Sequence, residues 1–476
     1  MIEKLNLTML TDFYEITMAN GYFCSDMTED TAYFDMFFRN IPDNGGYAVM
    51  AGLEQVIEYL KNLSFTDEDI EYLRSKKIFN EEFLKYLSEF EFKCDVWAVP
   101  EGTLIFPGEP IITVKGPVMQ AQFVETMILL LINHQSLIAT KASRIVRAAG
   151  GRPVMEFGTR RAHSTAAAVY GARAAYIGGC AGTACAVADI EFGIPALGTM
   201  AHSWVQMYDD EYEAFKKYAE IYPTNCVLLV DTYDVLKSGV PAAIKVFKEM
   251  KPEKMGIRID SGDIAYLTKK ARKMLDDAGL EDCTIVVSNS LDEYIIREVI
   301  QEGACIDSFG VGERLITASS QPVFGGVYKL SALEKDGEMI PKIKVSENVE
   351  KITNPGFKSL YRLYDKETDR ALADVITLDS EAVPCGDGYE IFDPSAVWKR
   401  KRLNNFYAKN LRVPVFKGGK CVYESPSINE IRDYCAEQLD SMWDEIKRFD
   451  NPQTYFVDLS CELWKLKNDM LAAAKK

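Results

Sequence analysis

Short apolar runs that end in polar residues alternate with helical patterns from about residue 152 to residue 310. These runs are Pro153–Phe157, Pro195–Thr199, Val227–Asp231, Met255–Asp260, Thr284–Ser288 and Ile306–Gly310. Strands separated by whole helices pair in parallel, with right-handed crossovers and a sheet that is buried on both faces. Because six such units follow one another, the pattern predicts an α/β fold with a βα barrel rather than an open sheet.

The segments on either side of this region have a different pattern. Residues 1–135 combine a helical pattern at Glu54–Lys61 with strand and turn signals at Val96–Val114, which indicates an α+β domain with an antiparallel sheet. After the barrel, strands are predicted at Lys342–Val345, Lys358–Tyr364 and Ala371–Leu378, and helices end the chain. The predicted domains are therefore residues 1–135, a barrel at 136–340, and a strand segment with a helical extension at 341–476.

Charge and cysteine content limit the functional class. The formal net charge of −17 disfavours nonspecific binding to nucleic acid or to anionic membranes, so an anionic substrate needs a local cationic pocket. The 11 cysteines include no Cys-x-x-Cys pair, and the amino terminus has no signal-peptide pattern. These features predict reduced thiols and a cytoplasmic protein without a membrane span.

The residues that end the apolar runs are polar or glycine, and in a parallel barrel they meet at one rim. They are Glu156 with Arg160 and Arg161, Thr199 with His202, Asp231 with Asp234, Arg258 with Asp260 and Asp263, Ser288 with Asn289 and Ser290, and Gly310 with Gly312. Arginine forks suit phosphate and carboxylate oxygens. Small residues with free backbone N–H groups ahead of helices suit a terminal phosphate. The rim is therefore predicted to bind an anion.

His202 is one of only three histidines, and it follows directly on a rim segment. Histidine accepts a proton or a phosphoryl group near neutral pH, whereas a half-buried structural histidine is the alternative. Asp231 is predicted to hold one ring nitrogen and leave the other free. Asp260 and Asp263 are candidates for Mg²⁺ binding through water or for sugar hydroxyls, with helix capping as the alternative, most evenly balanced for Asp263.

Several separated motifs, in the same order, resemble those of the nicotinate phosphoribosyltransferase family, which are type II phosphoribosyltransferases. The motifs are Leu10–Tyr14, Phe37–Arg39, Glu156–Arg161, Gly198–Ser203, Asp231–Asp234, Arg258–Asp263 and Gly325–Leu330. The resemblance extends from near residue 7 to about residue 365. It implies an irregular βα barrel with an N-terminal α+β domain and a C-terminal extension.

The resemblance also implies an activity. Members of the family condense nicotinate with phosphoribosyl pyrophosphate (PRPP) to give nicotinate mononucleotide and pyrophosphate, the first step of NAD salvage from nicotinate. They couple this step to ATP hydrolysis and are classed as C–N ligases. ATP is thus implied as a co-substrate, Mg²⁺ as the cofactor, held through substrate phosphates and possibly by Asp260 and Asp263, and a homodimer with shared sites as the assembly.

By the same resemblance, His202 is the residue phosphorylated by ATP, and Asp231 orients it. Phe157 and the partner's Tyr14 stack on the pyridine ring, while Arg258 and Thr199 contact nicotinate. The residues implied for PRPP and its phosphates are Arg39 from the partner subunit, Arg160, Asp260 at the ribose, Ser288, Asn289, Gly310, Gly312 and Thr317.

Three other activities are alternatives. Nicotinamide phosphoribosyltransferase is similar, but there an aspartate receives the amide, and the corresponding stretch Gly179–Thr183 has no carboxylate. A noncatalytic sensor of PRPP would need the phosphate site but neither His202 nor Asp231. A lyase using a lysine Schiff base is disfavoured because no lysine ends an apolar run.

Overall fold

The structure is a computed structural model that describes residues 6–394 and 396–474. Its contacts divide the chain into two compact units, one of residues up to 137 together with those from 323 onward, and one of residues 138–322. The first and last segments of the chain thus form one unit. The predicted division into three domains stays a prediction, because the two compact units do not show whether each predicted domain folds independently.

The first segment contains mostly short helices and antiparallel strands. Its helices are α1 (Phe13–Cys24), α2 (Leu53–Lys61), α3 (Asp67–Ser75), α4 (Glu81–Ser88), α5 (Val118–Phe123) and α6 (Glu125–Ala148), the last of which continues into the second unit. Its strands are β1 (Thr31–Phe38), β2 (Ala48–Val49), β3 (Asp95–Ala98), β4 (Leu104–Ile105) and β5 (Ile112–Pro117). The predicted helix at Glu54–Lys61 and the strands within Val96–Val114 are confirmed.

The second unit alternates strands and helices, as the sequence pattern predicts. Its strands are β6 (Val154–Glu156), β7 (Gly182–Thr183), β8 (Cys226–Leu229), β9 (Met255–Ile259), β10 (Thr284–Ser288) and β11 (Ser308–Val311). Its helices are α7 (Thr165–Ile177), α8 (Ala186–Phe192), α9 (His202–Gln206), α10 (Glu211–Ile221), α11 (Val240–Met250), α12 (Ile264–Asp277), α13 (Glu293–Gln301) and α14 (Glu313–Ile316), with a 3₁₀ turn at Thr159–Arg161 and a π turn at Val235–Gly239.

The strands of the second unit form one curled parallel sheet in the order β7-β6-β11-β10-β9-β8. The α/β prediction is confirmed, but the described strands β7 and β8 do not pair, so the sheet is a half-barrel. The predicted strand Pro195–Thr199 forms only a single bridge, from Ala196 to Thr183 of β7. Pro195 has no N–H to extend the pairing, because its nitrogen lies in the ring.

The last segment of the chain contains strands β12 (Gly326–Lys335), β13 (Glu338–Pro341), β14 (Lys358–Asp365), β15 (Ala371–Leu378), β16 (Tyr389–Phe392), β17 (Arg400–Leu403), β18 (Phe406–Asn410), β19 (Val413–Lys417), β20 (Lys420–Cys421) and β21 (Val457–Leu459), and helices α15 (Ile428–Ser441) and α16 (Cys461–Ala474). The predicted strand Lys342–Val345 is wrong. The last residue of β13 is Pro341, after which the Lys342 N–H makes one more hydrogen bond to the Ser331 carbonyl of β12 (2.8 Å). Beyond it, the N–H of Lys344 donates to the Thr353 hydroxyl (3.0 Å) instead of to a strand.

The main sheet of the first unit explains why the two ends of the chain belong together. Its strand order is β13-β12-β1-β5-β3-β19-β20, so that three strands of the first segment lie between two pairs of strands from the last segment. The central strand β1 lies antiparallel between β12 and β5, and it buries Met36 and Phe38 completely. A second sheet has the order β18-β14-β15-β21.

One helix in the described part of the chain is long and apolar enough to cross a membrane by length and composition. It comprises α5 and α6 together, 31 residues from Val118 to Ala148, and 72% of its most apolar window is buried inside the protein. Burial of that kind is typical of the core helix of a globular protein.

Candidate active site

Arg258 on β9 is the centre of a polar cluster in the second unit. Its Nε donates to Ser288 Oγ (2.9 Å), its Nη1 donates to Thr199 Oγ1 (3.2 Å), and its Nη2 lies 3.4 Å from Asp260 Oδ1. The guanidinium also lies over the ring of Phe157, 5.5 Å from the centroid. Only 14% of this side chain is exposed. Four of the predicted site residues thus hold one arginine in a fixed orientation, which suits a forked contact to a carboxylate.

Phe157 packs directly on the backbone of β11. A Cβ atom at Gly310 would lie 2.5 Å and 2.6 Å from two carbons of the Phe157 ring, far inside ordinary contact. The backbone N–H of Phe157 donates to the Val311 carbonyl (2.8 Å). Gly310 therefore leaves room for the aromatic ring, because any side chain there would displace it; its predicted role at the phosphates stays a prediction.

Asp231 holds the segment that follows β9. Its Oδ2 accepts hydrogen bonds from the Asp260 N–H (3.0 Å) and from the Ser261 hydroxyl (2.6 Å). Its Oδ1 is buried and has no hydrogen-bond partner among the described residues. A buried carboxylate oxygen without a partner is costly, so this atom is suited to a donor from outside the chain, such as a water molecule on a metal ion.

His202 begins α9 and is half-buried. Its Nδ1 lies 3.1 Å from Thr232 Oγ1, and within the described residues it makes no hydrogen bond to Asp231. The orienting role of Asp231 stays a prediction, and the contact that the structure shows is with the next residue along the chain. Thr232 was missed by the sequence analysis, although it directly follows the apolar run of β8.

Glu156 faces the protein interior. Its carboxylate accepts hydrogen bonds from the Gly158 N–H and from the Thr183 hydroxyl (2.6 Å), which connects β6 to β7 and to the following turn. Burial raises its pKa, an effect that these hydrogen bonds oppose. Glu156 is thus a structural residue beneath the rim and not a rim group, in contrast to its predicted place among the rim residues.

The residues predicted for phosphate lie on three neighbouring loops. Asn289 follows Ser288 with a φ of 99°, a left-handed conformation that is uncommon outside glycine and that often marks functional loops. Gly312 precedes α14, and Thr317 follows it with its hydroxyl donating to the Glu313 carbonyl (2.7 Å). Arg160 is exposed and makes no ion pair or hydrogen bond with any described residue. Within the described chain, no hydrogen bond or ion pair joins the side chains of Arg160, Asn289 or Thr317 to the Arg258 cluster.

Asp263 is a helix cap, as its alternative interpretation predicts. Its Oδ1 accepts a hydrogen bond from the Tyr266 N–H (2.8 Å) at the start of α12. In the described residues no group of three or more histidine, cysteine, aspartate or glutamate side chains is placed to hold a metal ion. A magnesium site in this unit would therefore depend on substrate oxygens and water, with Asp231 and Asp260 as the neighbouring carboxylates.

Tyr14 and Arg39 belong to the first unit. Tyr14 lies on α1 with 44% of its surface exposed, and burial and the charge of Glu125 raise its pKa. Arg39 follows β1, and its Nε donates to the Glu350 carbonyl (3.1 Å). Their roles in a partner's site stay predictions.

Comparison with known proteins identifies the family. Three family models match in sequence: the nicotinate phosphoribosyltransferase N-terminal domain at residues 9–133, the nicotinate phosphoribosyltransferase family at 153–374, and the C-terminal domain at 357–467. The nicotinate phosphoribosyltransferase of Bacillus subtilis is 46% identical over 99% of this chain and 96% of its own length. A relative of the same name from Mycobacterium tuberculosis is 38% identical over 93% and 89%.

A solved structure has the same fold. The crystal structure of human nicotinic acid phosphoribosyltransferase is 28% identical, covers 97% of this chain and 100% of its own, and superposes with a TM-score of 0.84. The resemblance inferred from the sequence motifs is confirmed. This chain belongs to the nicotinate phosphoribosyltransferase family.

Proposed function

We propose that this chain catalyses the ATP-coupled condensation of nicotinate with PRPP through a phosphohistidine at His202. The products are nicotinate mononucleotide and pyrophosphate, so the reaction is the first step of NAD salvage from nicotinate. The observation that carries the proposal is the fixed Arg258 guanidinium beside the Phe157 ring, since the two together match an aromatic carboxylate.

Nicotinate would place its ring on Phe157 and its carboxylate at Arg258 and Thr199. The pyridine nitrogen attacks the anomeric carbon of the ribose, and the bond from that carbon to pyrophosphate breaks. Positive charge develops on the sugar and negative charge on the departing pyrophosphate. Arg160, which has no protein partner in the described chain, and the backbone N–H groups near Gly312 are available to the phosphates.

Mg²⁺ fits the donors that the chain presents. The buried Asp231 Oδ1 has no partner in the described residues, and Asp260 lies beside it, so both are suited to hold metal-bound water. When bound, Mg²⁺ would neutralise charge on the pyrophosphate oxygens. Asp260 also orients Arg258 through its Oδ1, which couples the metal-facing carboxylate to the nicotinate contact.

In this proposal, His202 accepts a phosphoryl group from ATP. With Nδ1 engaged by the Thr232 hydroxyl, Nε2 is the nitrogen that attacks the terminal phosphorus of ATP, and ADP leaves. Hydrolysis of the phosphohistidine later releases phosphate. The Thr232 hydroxyl fixes the orientation of the imidazole ring, as a hydrogen-bonding partner on the other ring nitrogen does for catalytic histidines.

A homodimer with shared sites is part of the proposal. Four apolar side chains near the amino terminus are exposed, namely Leu10 (40%), Phe13 (42%), Tyr14 (44%) and Met18 (37%). Exposed apolar residues within one short segment favour a protein contact surface, and Tyr14 is the residue that the family resemblance assigns to the partner's site. We further propose a cytoplasmic location, which the absence of disulfides among the 11 described cysteines supports.

The test incubates the enzyme with PRPP, Mg²⁺ and ATP plus either nicotinate or nicotinamide, and identifies products by mass. We expect the mononucleotide of the acid and stoichiometric ADP. His202→Ala should lose ATP stimulation and retain slow ATP-independent synthesis, while His163→Ala, an exposed histidine of the same unit, should behave as wild type. Equal use of nicotinamide would contradict the assignment of nicotinate as the substrate. Wild-type ATP coupling in His202→Ala would contradict the assignment of His202 as the phosphorylated residue.

A further inference from the structure

A large cavity in the first unit is lined by the β16–β17 hairpin and by the segment that leads into β21. Its volume is about 1160 Å³. Four aromatic side chains line it, namely Phe106, Phe392, Tyr455 and Phe456. Pockets for drug-sized ligands measure roughly 300–1,000 Å³, so this cavity has room for a ligand that combines a flat ring with a polar tail.

Asp458 on β21 is a buried carboxylate that lines this cavity. Only 3% of the residue is exposed, and its side chain makes no hydrogen bond or ion pair with any described residue. Burial and the negative charge of Asp393 raise its pKa to about 7, as expected for a carboxylate that lacks hydrogen-bond donors. A buried carboxylate without a partner is costly, so Asp458 is suited to N–H donors that a ligand brings into the cavity.

Lys401 on β17 is a cation without an anionic partner, and it lines the same cavity. Its Nζ lies 5.6 Å from the ring centroids of Trp443 and of Phe456, and it forms no ion pair or hydrogen bond within the described chain. Contact with aromatic rings stabilises an ammonium group but leaves its three N–H donors without an acceptor. Lys401 is therefore available to an anionic group of a ligand.

The other cations of this cavity are already accounted for. Lys399 Nζ lies 3.7 Å from Asp393 Oδ2, and Arg400 Nη1 lies 2.5 Å from Glu390 Oε1. Arg39 also lines the cavity, but the family resemblance assigns it to the phosphates of PRPP. Among the described residues, the cavity thus presents one unpaired carboxylate and one unpaired ammonium group that do not pair with each other. A ligand that has N–H donors at one end and an anion at the other would satisfy both.

We propose that this cavity binds a guanine nucleotide, with Asp458 at the base and Lys401 at the phosphate. The edge of guanine presents two adjacent N–H donors, one on the ring and one on the exocyclic amino group, which match the two oxygens of an ionised carboxylate. Adenine presents one donor beside a ring-nitrogen acceptor, so one carboxylate oxygen would face another acceptor. The aromatic side chains of the cavity suit the flat base. This inference does not depend on the reaction proposed above, because neither residue belongs to the proposed catalytic site.

The test compares the binding of guanosine, inosine and adenosine monophosphates (GMP, IMP and AMP) to the full-length protein by isothermal titration calorimetry. IMP differs from GMP only in the missing amino group, so we expect it to bind about tenfold more weakly, because one hydrogen bond to a charged acceptor is lost. AMP should bind more weakly than GMP as well. No measurable binding of GMP, equal binding of GMP and IMP, or tighter binding of AMP would overturn the proposal.

Variants locate the bound nucleotide. Asp458→Asn should weaken GMP binding by roughly tenfold or more and leave the KM values for PRPP and nicotinate unchanged, whereas Asp440→Asn, at an exposed carboxylate of α15, should bind GMP as wild type does. Lys401→Gln should weaken the binding of GMP but not that of guanosine, which has no phosphate. Melting curves verify that each variant is folded, and the comparison of GMP with IMP decides the matter if Asp458→Asn is not. GMP binding that survives Asp458→Asn would overturn the proposal, since the nucleotide would then occupy another site, such as the one proposed for PRPP.

Discussion

Gly310→Ala probes the aromatic side of the proposed nicotinate site without touching a polar group. The new methyl would lie 2.5 Å from the Phe157 ring, short of ordinary contact at 3.4 Å by about 0.9 Å, and the Cβ of Ser288 at 3.3 Å prevents it from moving the other way. Overpacking of this kind costs roughly 1–3 kcal/mol. The ring must shift away from β11, and with it the face that lies against Arg258.

The expected loss is mainly in nicotinate binding. The displaced ring should weaken nicotinate binding by a similar roughly 1–3 kcal/mol, which corresponds to roughly a 5- to 150-fold rise in the KM for nicotinate. The KM for PRPP should change much less, because the methyl displaces the Phe157 ring but removes no hydrogen-bond donor that is proposed to hold a phosphate. Initial rates with each substrate varied in turn measure both constants, and a melting curve shows that the variant is folded.

Ser308→Ala on the same strand is the matched control. Its side chain makes no hydrogen bond within the described chain, so both KM values should stay at wild type. The reasoning would be refuted if Gly310→Ala melted at a lower temperature but bound nicotinate normally, since the Phe157 ring would then not form the pyridine site. A parallel rise in both KM values would mean that the methyl distorts the whole rim.

Two other changes test single contacts. Thr232→Val removes the hydroxyl at His202 Nδ1; one hydrogen bond is worth ~1 kcal/mol, so histidine phosphorylation by ATP should slow about fivefold and recover in Thr232→Ser, and an unchanged rate with radiolabelled ATP would contradict the positioning role. Glu15 is buried, and burial raises its pKa to about 7 while hydrogen bonds from Thr11 and Thr126 oppose the rise. The folded protein therefore holds this proton more tightly than the unfolded chain, and stability is highest below pH ~4.5 for this group and falls as the pH rises towards 7, by ~1.4 kcal/mol per pH unit. Glu15→Gln should flatten that part of the curve of melting temperature against pH, and an unchanged slope would show that another group is responsible.

Local patterns predicted much of the second unit. Apolar runs spaced by helical patterns identified five of the six strands, because a buried parallel strand needs consecutive apolar residues and a crossover helix needs a period of 3.6. The strand that was missed, β7, has only Gly182 and Thr183, which are too few to form a pattern. It pairs with β6 through backbone hydrogen bonds, and the Glu156 carboxylate of that strand also accepts a hydrogen bond from the Thr183 hydroxyl.

The sequence by itself determined the parallel α/β class, the family motifs and the set of polar residues at the strand ends, since these depend on residue order alone. Only the tertiary structure decided which of those residues touch. It turned Glu156 inward, held Asp231 against the Asp260–Ser261 segment and brought Thr232 to His202, because a side chain's hydrogen bonds depend on neighbours from other strands. Residue spacing along one chain does not give those distances, and so the contact of Thr232 with His202 could not be predicted from the sequence.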